Sequence, residues 1–340
     1  MRIISSTGYG SSGSTAITDL ISEYSSAQSC KYTGYELKFF HNPRGIFNLY
    51  NNLVKNDLPS ARFYAVTEYK KFCREGATLG TSMNYEKFFC NTFGKATDRY
   101  LEKLCGEDYI TGYSSKKVNA FQQLFRRAVN KTYRVWQDVF TRKEYGVTYP
   151  GINLFMAKEK LYLSAVDEHA FTEFTKQYFT DLFTAFAQNH EFANVHELIP
   201  IQMIDECAKY FEDICIIKID RDPRDIYLNR KYRASTPFLD DVETFCKHAR
   251  WLRCLTREIC TTRVLSLQFE DLVYSYDDTV KKIEAFCGLK AEDHINIRTK
   301  FIPELAVNNC NLKEKYPEEA ENIRIIEQEL SDLLYDFEHK

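Results

Sequence analysis

The run Ile-Cys-Ile-Ile-Lys-Ile at 214–219 constrains the fold more than any other stretch of the chain. It is short, β-branched and apolar without polar alternation, the pattern of a strand buried on both faces in a parallel sheet. The residues after it, Asp-Arg-Asp-Pro-Arg-Asp at 220–225, predict an abrupt turn into a helix. Asp222 stands at the N-cap and Pro223 at the first helical position, where its missing N–H costs nothing. Asp225 completes a variant capping box. Arg221 then lies at the carboxyl end of the strand beside the capped helix, a place that suits an anion. Asn229, seven residues after the cap, falls on the same helical face two turns along.

The start of the chain predicts the same arrangement: strand 2–6, loop 7–13, helix 14–24 and a further strand at 30–36. Gly8 and Gly13 fit the spacing of a phosphate loop, with Thr15 in the hydroxyl position and Ser14 where a lysine is usual. Glycines let such a loop curl so that its N–H groups converge, and the helix that follows adds the positive end of its dipole. The hydroxyls of Ser11, Ser12, Ser14 and Thr15 are candidate donors to phosphate oxygens. Without the lysine, ordinary nucleoside triphosphate hydrolysis is not expected, because that cation binds the β- and γ-phosphates.

Between these stretches, residues 60–190 carry Tyr, Phe, Lys and Glu at helical spacing and few strand signals, which predicts a helical insertion. Alternation then returns: helix 201–211, strand 214–219, helix 240–260, strand and turn 263–272, helix 276–289 and a last amphipathic helix 321–337. The pattern predicts an open parallel sheet with helices on both faces and ligands beyond the carboxyl ends of its strands. His190 and His196 lack the spacing of a zinc site. Asp220 and Asp222, an Asp-x-Asp pair after a strand, keep open a metal-dependent glycosyltransferase holding a nucleotide-sugar diphosphate.

A net charge of −3 excludes a general positive field for nucleic acid or an anionic membrane, so any anion must be held locally. Lys116, Lys117, Arg126, Arg127, Lys131 and Arg134 form one basic helical stretch, either a solvated face or a grip for an acidic glycan. No run of 18 apolar residues predicts a membrane span. Eleven cysteines without a Cys-x-x-Cys pair read as reduced thiols, and Met1 running into the first strand leaves no room for a signal peptide. The expected location is cytoplasmic. Aromatic residues are 15% of the chain, core filling or surfaces for stacking sugars.

Taken together, "GYGSSGSTAI" (8–17) and "DRDPRDIYLN" (220–229) resemble the sulfotransferase family, which pairs a strand–loop–helix for the 5′-phosphosulfate with a second for the 3′-phosphate. The resemblance continues through "VLSLQFEDLVYSYDDTVKKIEAFCGL" (264–289) and more loosely through "FIPELAVNNCNLKEKYPEE" (301–319). It implies a three-layer, P-loop-like α/β fold in one domain, with the insertion at 60–190 on the acceptor side. The implied donor is 3′-phosphoadenosine 5′-phosphosulfate, leaving adenosine 3′,5′-bisphosphate, and the acceptor a hydroxyl or amine of a small molecule or glycan. By the same resemblance, Arg221 and Asn229 would hold the 3′-phosphate, and Ser12, Gly13, Ser14 and Thr15 the 5′-phosphate, with no metal. The family's basic residue in the loop is Ser11 here, so Lys38 or Arg44 would have to replace it, or catalysis is impaired. In this family a glutamate after the second strand often takes the acceptor's proton, and Glu36 lies at a similar distance from the loop. His41, in the same segment, is the other candidate base. Glu197 would line the acceptor side, and Asn308, Asn309 and Lys313 fall where the family makes its last contacts around the 3′-phosphate.

Overall fold

The computed structural model describes residues 1–30, 36–77, 84–105, 108–111, 119–140, 159–162, 166–233 and 241–337. Strand β1 (Arg2–Gly8) is followed by β2 (Ala27–Ser29), the short strands β3 (Asp108–Thr111) and β4 (Glu159–Tyr162), then β5 (Phe192–His196), β6 (Ile214–Asp220) and β7 (Val264–Gln268). Five of them form one parallel sheet in the order β2-β5-β1-β6-β7. β1 is therefore central, with Ser6 paired to His196 on one side and Gly8 to Ile219 on the other. The chain leaves β1 towards β2 in one direction and reaches β6 and β7 in the other, which opens a crevice beyond β1's carboxyl end.

Alternation along the strands divides the core in two. Ile3, Ile214 and Ile216 face the insertion, whereas Ile4, Ile217 and Ile219 face the helices Ser14–Ile21, Phe269–Tyr274 and Tyr276–Cys287. The α/β sheet with helices on both faces agrees with the sequence pattern. The expected strand at 30–36 lies earlier, at 27–29, and residues 31–35 fall outside the described residues. β5 was not anticipated: it is five residues long, carries Asn194 and His196, and is buried throughout.

The insertion is helical at Pro59–Ala77, Phe93–Cys105, Ala120–Phe140 and Glu168–Ala187, but it also contains the antiparallel pair β3–β4. Helix 201–211 shortens to a 3-10 turn and the helix Ile204–Ala208. The expected turn after β7 is the helix Phe269–Tyr274, and the last helix ends at Glu329. Among the described residues, most aromatic side chains of the insertion are core, although Tyr64, Phe121, Phe125 and Trp136 are exposed. Phe39 packs against Phe72, Tyr85, Phe89, Phe93, Tyr178 and Phe179, all buried. The cluster around Phe39 is therefore not a sugar-stacking surface.

Candidate active site

The loop after β1 is curled by left-handed backbone at Gly10, Ser11 and Gly13. At Gly13, φ is 101°, and a Cβ there would lie 2.5 Å from the Phe269 ring, so only glycine fits. Ser12 is fully buried: its Oγ accepts from the Tyr9 N–H (3.0 Å) and donates to the Ile219 carbonyl (3.1 Å). Its hydroxyl is thus a brace within the loop, not an outward donor as expected. Among the described residues, the amide N–H groups of Ser11 through Thr15 meet no acceptor. Five unpartnered donors ahead of a helix N-terminus make an anion cradle.

The loop's carbonyls, by contrast, are taken. Arg230 Nη2 donates to the carbonyls of Tyr9 (2.7 Å) and Gly10 (3.2 Å), and Arg221 Nη1 to that of Ser11 (2.9 Å). Holding carbonyls outward leaves the amides facing in. Arg221 is buried, stacks on Phe269, and reaches the Asn309 carbonyl with its other nitrogen. Nearby, Arg233 donates to Asn309 Oδ1 (2.7 Å) and to the Asn308 carbonyl. Arg221, Arg233 and Asn309 therefore meet beside the loop, with Asn229 half-buried on the same helix as Arg233. Lys313 lies elsewhere, 3.4 Å from Glu327.

The cation sought in place of Ser11 is not Arg44, which is spent on Glu75 (Nη1–Oε1 3.0 Å). Lys38 stands 3.9 Å from Glu36 instead. Among the described residues, the cations that hydrogen-bond to the loop's carbonyls are Arg221 and Arg230.

On the opposite side of the loop, Glu36, His196 and Glu197 converge, with one ligand atom of each within 4.8 Å of the others. Ser14 Oγ donates to Glu197 Oε1 at 2.7 Å, so its hydroxyl ties the loop to this cluster. Glu197 adopts a left-handed backbone, φ 42°, rare for a residue with a side chain. Its pKa is raised by burial and by Glu36, against the Ser14 hydrogen bond and His41. His196 Nδ1 lies 3.3 Å from Thr18 Oγ1 and 3.4 Å from Ser6 Oγ, and burial lowers its pKa. His41 reaches solvent, yet the protein around it lowers its pKa, opposed by Glu197 and Glu36.

The sequence pattern points to Glu36 and His41 as candidate bases and gives His196 no role. His190, its sequence neighbour, turns away to the Ala187 carbonyl. The signal that would have found His196 is its register, since the last residues of a strand beside β1 must flank the loop. Segment 36–41 is set by burial of Leu37, Phe39 and Phe40, which leaves Glu36, Lys38 and His41 outward.

The Asp-x-Asp pair does not converge. Asp220 is held by Arg253 (Nε–Oδ2 3.0 Å), while Asp222 caps its own helix and pairs with Arg224 (Nη2–Oδ2 2.7 Å). A shared cation would have to break both ion pairs, which removes the geometry a glycosyltransferase would need. No described helix is long and apolar enough to cross a membrane.

A model of the sulfotransferase family matches residues 99–293. No curated protein matches the chain in sequence. In structure, the chain is similar to a crystal structure of the sulfotransferase STF1 from Mycobacterium tuberculosis H37Rv, with 11% identity and a TM-score of 0.29 over 91% of this chain and 76% of that one.

Proposed function

Because the chain belongs to the sulfotransferase family, we propose that it transfers a sulfuryl group from 3′-phosphoadenosine 5′-phosphosulfate to a hydroxyl of a small-molecule or glycan acceptor. The observation that carries this reading is the row of unpartnered amides at Ser11–Thr15, held open by two arginines. When bound, the donor supplies an activated sulfur whose leaving group is the 5′-phosphate. The loop amides and the Thr15 hydroxyl hold that phosphate as its charge grows. Arg221, exchanging its Asn309 contact, takes the 3′-phosphate with Asn229 and Arg233. Glu36 accepts the acceptor's proton as the new sulfur–oxygen bond forms. Ser14, bound to Glu197, sets the distance between cradle and base.

Calorimetry with adenosine 3′,5′-bisphosphate and single-turnover assays with labelled donor test this assignment. Arg221→Ala is expected to weaken bisphosphate binding about 10- to 100-fold, the worth of charge-assisted hydrogen bonds. Glu36→Gln should keep binding and lose roughly 10²- to 10⁴-fold in turnover. Equal bisphosphate binding by wild type and Arg221→Ala would sink the nucleotide assignment. The Glu36, His196 and Glu197 cluster supports a second reading, in which it holds a divalent cation at the acceptor. Turnover lost in a chelator and restored by Mn²⁺ selects that reading, while unchanged turnover selects the base.

A further inference from the structure

Against Tyr9, on the sheet face that carries Ile214 and Ile216, lies a cavity of about 210 Å³ that the proposed reaction leaves unused. Lys218 of β6 and the arginines Arg250, Arg253 and Arg257 line it, together with Tyr9 and the carboxylates of Asp220 and Asp332. Two of these arginines are already neutralised. Arg253 holds Asp220 through two hydrogen bonds, and Arg250 holds Asp332 (Nη2–Oδ1 3.0 Å). Lys218 and Arg257 differ: among the described residues, neither side chain makes a hydrogen bond or a close ion pair, although Arg257 is exposed and acts on Asp332 through its charge. Lys218 is half-buried, and a desolvated amine without a counter-ion is costly. Burial accordingly lowers its pKa, against the pull of Asp220. Asp220 makes no ion pair with Lys218 and is engaged by Arg253 and the Arg221 N–H instead.

We propose that this cavity binds a compact tetrahedral oxyanion, sulfate or phosphate, between Lys218 and Arg257, at a site separate from the donor loop. The charge left over is positive, and the missing partners are acceptors. The size fits a small ion with a few waters, given about 30 Å³ per water in the liquid. It falls below the roughly 300–1,000 Å³ of pockets that enclose larger ligands, which favours a small ion over a whole nucleotide. The anion is either the free inorganic ion or the end of a small phosphate or sulfate monoester. Tyr9, whose hydroxyl is bonded to Thr256 and whose ring lies 4.5 Å from the Arg253 guanidinium, forms the wall shared with the loop.

Sulfate titrated calorimetrically into the full chain at constant ionic strength, with the donor loop filled by excess adenosine 3′,5′-bisphosphate, tests the site. One saturable sulfate site is expected to persist, and Lys218→Met and Arg257→Gln should each weaken it about tenfold or more. Lys176→Met, on a helix of the insertion, should leave it unchanged, and thermal melts confirm that each variant is folded. Sulfate binding that vanishes with bisphosphate present, or that survives both substitutions intact, overturns the proposal. If the bisphosphate itself fails to bind, the donor assignment falls, and the Lys218 and Arg257 comparisons still decide this site. Glycerol phosphate binding more tightly than sulfate assigns the monoester, and weaker binding assigns the inorganic ion.

Discussion

Glu270 shows how one buried residue adds to the pH response of the whole protein. It is fully buried, accepts from the Asp222 N–H at 2.9 Å through Oε1, and has no partner at Oε2 among the described residues. Burial pushes its pKa from near 4.5 up to about 8, against the Asp222 hydrogen bond. The folded state therefore holds a proton that the unfolded chain releases, and stability falls as pH rises from about 4.5 to about 8. Each unit in that window costs at most about 1.4 kcal/mol. Glu270→Gln keeps the acceptor for Asp222 without the charge, so its unfolding free energy between pH 5 and 8 should be flatter than wild type's. Urea denaturation across that range checks this, and parallel curves would refute it. Nothing in the sequence announced this burial, because "FEDL" reads equally well as an exposed acidic turn.

The helix Pro223–Tyr232 is the element best foreseen and most heavily braced. Its cap, Pro at the first position and the acidic first turn are all local signals, and local signals survive in a single sequence. What the sequence hid is the use made of them. Asp222 accepts from Arg224 through backbone and side chain and also from the Tyr335 N–H, while Arg224 reaches Glu327 (2.7 Å). Asp225, with its pKa pushed up to about 6 by burial, accepts from the N–H groups of Asn311 and Leu312. One helix start thus fastens two parts of the C-terminal segment. Asp222→Ala should cost about 2–3 kcal/mol in denaturant melts, since it removes the N-cap and leaves the buried Arg224 with Glu327 as its remaining ion pair. Asp222→Asn, which keeps the cap, should cost clearly less. Equal losses would mean that the ion pair contributes little.

Across the whole molecule, composition foretold the existence of a large core but not its assignment. The 25 Phe and 23 Tyr invited a glycan-binding surface, yet those around Phe39 are buried behind the segment that carries Glu36 and His41. Phe39→Ala should lower stability by about 3–5 kcal/mol and impair turnover beyond what stability explains, because it loosens that segment. Denaturant melts beside single-turnover rates would show it, and full activity at matched folded fraction would count against the link. The pairing of β1 with β5 was illegible because it depends on contacts across roughly 190 positions, which no window reveals. That same separation bears on synthesis. Strand β1 and its loop are synthesised roughly 200 residues ahead of their supports: the carbonyls of Tyr9, Gly10 and Ser11 wait for Arg221 and Arg230, and Arg221 in turn waits for Asn309. A nascent chain halted before residue 221 holds every atom of the cradle and none of its arginine supports. Donor binding should therefore report completed folding, and a truncated chain should be blind to the nucleotide.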